Sequence, residues 1–398
     1  MTDYKVRCLR KSELEDMIAL TSTAYNADLE TFRRIYQHDP FYDFRLTRVA
    51  DLDRKLIAYL RAAPRTIWIG SSKLKMGGIA EVCTLQSYRR MGIATHLLKD
   101  MIHLMIRKGF PVSMLYGRDT FYRIVGYERA MIVHWLRTPT KILPGYVEAE
   151  NVREFEPGDL RAVMSAYDRT YGRRSCTMVR NELHWKVRIL ERSKVTVYDE
   201  DGVHGYLAYN LREEKADDAS RRILYIEEAG YDGPRALRGL IGNLGRFQDC
   251  EFVVYGGPPH DGLLSALSLP GSSLSVGWSG MFRVNDVAST LESLRDALTG
   301  FQGRLALKVR DDIVEGNNDT FGIDGSGGEV AVERGGTGRK CEWLGVDIRE
   351  LSQIIPGTLP VGQLASLGKL AFSSTRALDL AGRLFPPRCP LQPSLDHF

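Results

Sequence analysis

Several broad classes of protein are excluded by what this sequence lacks. It contains no run of about eighteen apolar residues, so no membrane-spanning helix is expected. The opening stretch MTDYKVRCLRKSELEDM lacks the apolar segment of about seven to fifteen residues that a signal peptide needs, and secretion is not expected either. Cysteine is scarce, at positions 8, 83, 176, 250, 341 and 389, and no C-x-x-C pair occurs. That spacing excludes a disulfide framework and a cysteine-based zinc or redox centre, and it predicts a reducing cytoplasmic setting with no bound metal. Charge of one sign is scarce too. Fifty-four basic residues against fifty acidic give a formal charge of +4 over 398 residues, too little to imply a nucleic-acid partner.

What is present is ordinary globular material. With 43% hydrophobic and 26% charged residues the chain folds. At roughly 100–200 residues per domain, its length predicts two to three domains. We read them as 1–135, 136–285 and 286–398. The first is mixed α/β, with helical spacing from Leu14 to Tyr36 and strand patterns at 55–60, 66–70, 73–85 and 112–116. Its clearest element is a helix over 94–108, where Ala94, Leu97, Leu98, Met101, Ile102 and Met105 recur at three- and four-residue steps. Lys99, His103 and Arg107 fall on the opposite side, and Gly109 and Pro111 end the helix. The second segment repeats this order more weakly, with a hairpin turn at Asp201-Gly202, a strand at 223–229 and a helix at 235–247. In the third, Asn285-Asp286 offers a cap for a helix carrying Val287, Leu291, Leu294 and Leu298. Strands at 304–309 and 330–333 follow, split by turn-rich GNN, GSGG and GGTG stretches, then helices at 348–354 and 375–384. The proline-rich tail FPPRCPLQPSLDHF ends on an aromatic residue, Phe398.

One segment carries chemistry. Val82-Cys83-Thr84-Leu85-Gln86-Ser87-Tyr88-Arg89-Arg90-Met91-Gly92-Ile93-Ala94-Thr95 runs from strand through a basic loop into a helix. A pyrophosphate needs converging N–H donors and positive potential, and the free amides and dipole at a helix start supply both. Gly92 permits close backbone approach, Ala94 leaves the site open, and Arg89 and Arg90 add charge. R-x-x-G-x-A alone is a weak pattern; its placement between strand and helix is what gives it weight.

The run Arg90-Met91-Gly92-Ile93-Ala94, followed by a strand and then Phe121-Tyr122-Arg123-Ile124-Val125-Gly126-Tyr127, resembles the acetyl-CoA core of the GNAT superfamily of N-acetyltransferases. Gly77-Gly78-Ile79-Ala80-Glu81-Val82 before the loop, and the overall length, resemble the Eis (enhanced intracellular survival) branch. That resemblance implies an α/β (α+β) architecture of tandem GNAT domains, the second degenerate, followed by a sterol-carrier-protein-like domain. It implies acetyl-CoA as co-substrate, with the backbone of Val82, Cys83 and Thr84 along the pantetheine arm and Arg90 to Thr95 at the pyrophosphate. It also implies contacts from Gly117 and Arg118, next to a departure from the family pattern: FYRIVGYE stands here where Eis proteins often have IYGRFGYG.

The same resemblance makes Tyr122 the general acid for the departing thiolate and the terminal carboxylate of Phe398 the base. Tyr127 competes for the acid role but reads as strand packing; His96 and His103 read as helix surface. Primary amines are the implied acceptors, aminoglycosides at one or several positions or lysine side chains. Asp28, Glu30 and Asp39 are candidate acidic contacts, with Phe32 and Tyr36 as apolar walls. A homo-oligomer, a hexamer by resemblance, is also implied. In the second copy Glu227, Glu228 and Asp232 stand where a phosphate loop would be and Pro234 removes a donor, so one acetyl-CoA per chain is expected. The competing reading is a non-catalytic lipid carrier or interaction protein built on the third domain. The intact loop at 90–95 argues against it.

Overall fold

The computed structural model describes residues 3–216, 219–336 and 341–398. The chain divides into two compact units. One holds Met1–Ala130, Gly280–Arg388 and Phe398; the other holds Met131–Ser279 and Cys389–His397.

In the first unit the chain lays down β1 (Lys5–Arg7), α1 (Leu14–Tyr25), α2 (Leu29–His38), β2 (Thr47–Leu52), β3 (Lys55–Ile69), β4 (Ser72–Thr84), α3 (Ile93–Arg107), β5 (Val112–Leu115), α4 (Asp119–Tyr122) and β6 (Glu128–Arg129). The helical pattern from Leu14 to Tyr36 is therefore two helices. Asn26 takes a left-handed φ of 51° at the end of α1, a conformation its short polar side chain tolerates. The two strands expected at 55–60 and 66–70 are one, because Arg61 between them is buried in an ion pair instead of exposed in a turn. The apolar stripe of α3, Leu97, Leu98, Met101, Ile102 and Met105, packs on Ala50, Ile57, Ala58, Leu60, Ala62 and Ile79 of the sheet. Each fully buried Leu or Met there contributes about 1.5–3 kcal/mol.

The second unit contains β7 (Ile132–Pro139), β8 (Val152–Glu154), α5 (Leu160–Tyr171), β9 (Lys194–Asp199), β10 (Val203–Ala216), β11 (Ala219–Tyr231), β12 (Phe252–Gly257) and β13 (Ser273–Trp278). They form one sheet in the order β13-β7-β12-β11-β10-β9-β8. The Asp201-Gly202 turn joins β9 to β10, and a helix at Gly233–Leu244 follows β11. A division at 135/136 would cut β7 in two.

The chain then returns to the first unit as β14 (Met281–Val284). The first sheet has the order β1-β2-β3-β4-β5-β14-β6, with β14 antiparallel to both neighbours. This strand lies within the segment read as 136–285 yet pairs in the sheet of the first unit. The reason it was missed is Arg283, a charge in a four-residue strand, which is fully buried against Asp311 at 2.7 Å. Gly126, at φ +85°, leaves the room this guanidinium needs, since a Cβ there would sit 1.8 Å from its Nη1.

Asp286 caps the next helix by accepting from the Ser289 amide at 2.9 Å. A five-stranded sheet completes the unit, ordered β17 (Ala331–Arg334), β16 (Thr320–Asp324), β15 (Arg304–Arg310), β18 (Glu342–Asp347) and β19 (Ala371–Phe372). Helices at Ile348–Ile354 and Thr375–Leu384 lie where their periodicity predicts them. The GGTG stretch runs into 337–340, outside the described residues. This carboxy-terminal part is not an independent body. Gln353 and Thr358 bond the carbonyls of Arg129 and Ala130 at 2.9 and 2.7 Å, and Ser72 accepts from the Ala297 amide at 2.9 Å. Among the described residues no helix is long and apolar enough to cross a membrane.

Candidate active site

The site begins where two parallel strands part. β4 pairs with β5 from Met76↔Val112 to Ile79↔Leu115, and β4 then runs on alone on that side. At Glu81 the backbone turns to φ +50° and the register against β3 slips between Tyr59 and Arg61, a bulge that bends the strand away. The Leu85 amide bonds the Ile57 carbonyl at 2.9 Å. Because residues of an antiparallel strand alternate, the peptide groups of Cys83 also face β3, while those of Val82 and Thr84 face the open edge. Side chains already use two of these: Tyr25 donates to the Val82 carbonyl and Arg89 Nε to the Thr84 carbonyl, each at 3.2 Å. The expectation that Cys83 lends its backbone to a ligand arm is therefore corrected. Its thiol is buried as well, and burial pushes its pKa up to about 12, which disfavours the thiolate.

The basic loop closes on the start of α3. Arg90 and Gly92 take φ of 64° and 79°, and Gly92 caps the helix with no side-chain bond. The His96 amide is the first to bond back, to the Gly92 carbonyl at 3.0 Å, so the amides of Ile93, Ala94 and Thr95 precede the ladder. Among the described residues nothing lies within 4 Å of where a Cβ on Gly92 would be. This is an uncapped, positively polarised helix end facing open space, and its donor set suits a pyrophosphate. Met91 is exposed and so is Arg90. Arg89 was expected to face phosphate. Instead its guanidinium bonds the carbonyls of Thr84 and Ala24 and so pins the loop to β4 and α1.

Tyr122 ends α4, just beyond β5, with its ring against Phe121 and Tyr127. Gly117 leaves space for that ring, since a Cβ would lie 2.5 Å from its edge. The Tyr122 hydroxyl makes no hydrogen bond to the described residues, and burial raises its pKa to about 12. Tyr127 differs. It is fully buried, and its hydroxyl bonds Ser113 at 2.7 Å, which in turn donates to Asn285 at 2.8 Å. Arg118 is exposed at the start of α4. The ring of Phe398 lies on Gly78 of β4, where a Cβ would be 2.7 Å from three of its atoms, and 5.5 Å from the ring of Tyr116. The second glycine of the Gly77-Gly78 pair is thus a docking position for the chain end, a role spelled in the sequence by that pair and not recognised there.

The acceptor candidates fare unevenly. Asp28 is exposed between α1 and α2. Phe32 and Tyr36 are buried, stacked at 6.0 Å, in a cluster with Met17, Ile18, Leu20 and Tyr59. Tyr25, 5.9 Å from Phe32, is the exposed member of that group. Glu30 pairs with Arg33. The side chain of Asp39, 4% exposed, lies 3.4 Å from Arg61, whose guanidinium is also held by Glu81 at 3.0 Å. His96 accepts or donates to Tyr4 at 2.8 Å, and His103 lies on the exposed side of α3.

In the second unit the corresponding loop is filled by its own charges. Asp232 forms two bonds to Arg169, at 2.5 and 2.6 Å, and Pro234 stands in the first turn of the helix that follows. Residues 389–397 also pack in this unit. His397 there is desolvated beside Arg188 and Glu227, and its pKa falls from 6.5 to about 4. A histidine depressed in the folded state stabilises packing fully above its unfolded pKa and loses that contribution as pH falls toward the folded value. The protection factors of residues 391–397, referred to intrinsic exchange at each pH, are therefore expected to fall between about pH 6.5 and 4, at a cost of about 1 kcal/mol per unit. Unchanged protection across that range would contradict this. Among the described residues no cluster of His, Cys, Asp and Glu could hold a metal.

Comparison with known proteins agrees with this geometry. A family model for the acetyltransferase (GNAT) domain matches residues 5–130, a second GNAT model matches 176–284, and a sterol carrier protein domain matches 287–393. No curated protein matches the sequence. Among solved structures, a GCN5-related N-acetyltransferase from Anabaena variabilis is 20% identical with a TM-score of 0.82, covering 100% of both chains. A probable N-acyltransferase from Enterococcus faecalis is 19% identical, also with a TM-score of 0.82 and 100% coverage of both. Eis1 from Mycobacterium abscessus is 17% identical with a TM-score of 0.76, over 98% of this chain and 100% of that one. The chain thus carries two GNAT acetyltransferase domains in tandem followed by a sterol carrier protein domain, in a fold it shares with Eis1 and the two bacterial N-acyltransferase structures.

Proposed function

We propose that the first domain transfers an acetyl group from acetyl-CoA to a primary amine. The observation that carries this reading is the coincidence at one strand edge of four features. These are an open segment of β4 at Val82 and Thr84, an uncapped helix start at Gly92–Thr95, the unbonded hydroxyl of Tyr122 and the docked end of the chain at Phe398. A pantetheine arm carries amides that extend a sheet, and a pyrophosphate is held by helix-start amides. The amine nitrogen attacks the thioester carbon as the Phe398 carboxylate takes its proton, directly or through one water. The tetrahedral adduct then breaks its C–S bond, and Tyr122 donates a proton to the departing thiolate. Polycationic acceptors such as aminoglycosides, or lysine side chains, are the substrates we assign, with Asp28 as an acidic contact.

Incubation with acetyl-CoA and a panel of aminoglycosides, polyamines and lysine peptides, read by thiol release, tests the reading. Acetylated amine in step with released thiol is expected. Thiol release with none of the amines would overturn it. A second expectation concerns the loop. Gly92→Val forces a β-branched residue to φ +79°, a strain of about 1–3 kcal/mol, and puts methyls where the phosphates approach. Acetyl-CoA affinity should fall at least tenfold by calorimetry while circular dichroism is unchanged. The parent chain should bind one equivalent; two per chain would count against the assignment.

A further inference from the structure

The second GNAT domain has an opening built like that of the first. β11 pairs in parallel with β12 from Ile223↔Phe252 to Ile226↔Tyr255 and then runs on to Tyr231. Its register against β10 slips between Ala208 and Tyr209, at Glu227. β4 does the same at Glu81, just after it leaves β5 at Ile79. In the first domain the strand edge beyond the bulge is the proposed cleft. In the second, that edge carries Glu227 and Glu228, and the chain's own tail sits on it.

The tail is held there by charge, by apolar burial and by backbone bonds. Asp396 accepts from Arg180 Nε and Nη2, both at 2.9 Å, and Arg180 also holds Glu228 at 2.7 and 2.5 Å. The side chains of Arg180, Glu228 and Asp396 have 0% exposure. The guanidinium lies 4.0 Å from the ring of Tyr167, and Tyr206 donates to Glu228 at 2.8 Å. Ser394 donates to Glu227. Leu391 and Leu395 are buried with Tyr167, Tyr171, Trp185 and Tyr206. The Leu391 amide bonds the Ser175 carbonyl at 2.9 Å, and Arg188 bonds the carbonyl of His397 at 2.7 Å. That last carbonyl belongs to the peptide bond that carries Phe398.

We propose that the cleft of the second domain is a socket for the carboxy-terminal tail, in which Arg180 and Glu228, acting through Asp396, are positioning residues for the Phe398 carboxylate. The inference rests on the reading of that carboxylate as the base. A buried ion triad contributes little net stability, but it holds its members to one arrangement, and a base displaced by about 1 Å can lose a hundredfold in rate. The loss of a usable phosphate loop around Asp232 and Pro234 is then the counterpart of a gained function.

The test uses the full chain with Phe398 in place. Asp396→Ala leaves Arg180 and Glu228 paired with each other, so the unit keeps a neutral buried pair and its fold. It should lower kcat about ten- to a hundredfold, leave acetyl-CoA affinity and its KM unchanged, and speed amide exchange at 391–397. Asp396→Asn, which retains one acceptor oxygen, should recover part of the rate. The decisive measurement is the pair with Phe398 removed, in which Asp396→Ala should cost no further kcat. An equal further loss, or full kcat in Asp396→Ala with the tail's protection gone, would overturn the positioning role alone. Full kcat after removal of Phe398 by itself would overturn the base assignment, and the positioning role with it. Should Asp396→Ala fail to fold, Ser394→Ala, which deletes only the bond to Glu227, is read by the same criteria.

Discussion

Tyr122→Phe is expected to lower kcat by about a hundredfold or more, with acetyl-CoA affinity unchanged. The substitution removes one oxygen and keeps the ring that fills the space above Gly117, so packing and cofactor contacts survive. Burial raises this phenol to about 12, and a group so raised stays protonated through neutral and alkaline pH. It therefore carries its proton throughout the assay range, as a weaker acid than a free phenol, and no alkaline loss of kcat traceable to it should appear between about pH 8 and 10. Tyr127→Phe is the control. It strips a hydroxyl from the buried chain through Ser113 to Asn285, costing about 1 kcal/mol in stability and little in turnover. Stopped-flow or steady-state thiol release separates the two. A larger kcat loss in Tyr127→Phe would move the acid to that residue.

The second large effect is expected at the chain end. An α-carboxylate has a pKa of about 3.3–3.7 in water and is a weak base until it is held and partly dried. The ring of Phe398, seated on Gly78 beside Tyr116, supplies that hold. Deleting Phe398 moves the terminus back by one residue, about 3.5 Å of chain, and a carboxy-terminal tag replaces the carboxylate with a neutral amide. Each should reduce kcat about a hundredfold with acetyl-CoA binding intact, whereas an amino-terminal tag should be harmless. Gly78→Val should reproduce much of the loss from the opposite partner, by displacing the ring without touching the carboxylate. Full turnover by a carboxy-terminally extended chain would return the base role to a side chain or to water.

What was readable in the sequence followed local rules. The helix Ile93–Arg107 was legible because its stripe, its glycine cap and its Gly109 stop all agree. The strand-loop-helix order placed the phosphate loop at 90–95 without any tertiary information. Misreadings arose where a polar residue found a distant partner. Arg61 read as a turn because nothing nearby signals Glu81 and Asp39 as its partners. Arg89 read as a phosphate ligand because its two carbonyl acceptors belong to Thr84 and Ala24. Cys83 looked equivalent to Val82 and Thr84, since strand alternation decides which way a peptide group faces only once a neighbour is known. Asp396 and Arg180, 216 positions apart, carry no local mark at all.

The place of β14 in the first sheet also governs how the chain is made. A ribosome releases residues in order at about 5–20 per second, and Met281–Val284 emerges only after 131–279 has been synthesised. Until then the sheet lacks the strand that belongs between β5 and β6, and the Val112–Leu115 edge waits unpaired. An unpaired edge is a template for wrong pairing, and the nascent first domain is expected to expose one until residue 284 has emerged. It also cannot be moved between genes as a contiguous cassette. A fragment ending near residue 135 carries the loop, Tyr122 and Gly78, yet it omits both the strand that closes its sheet and the residue that ends the chain.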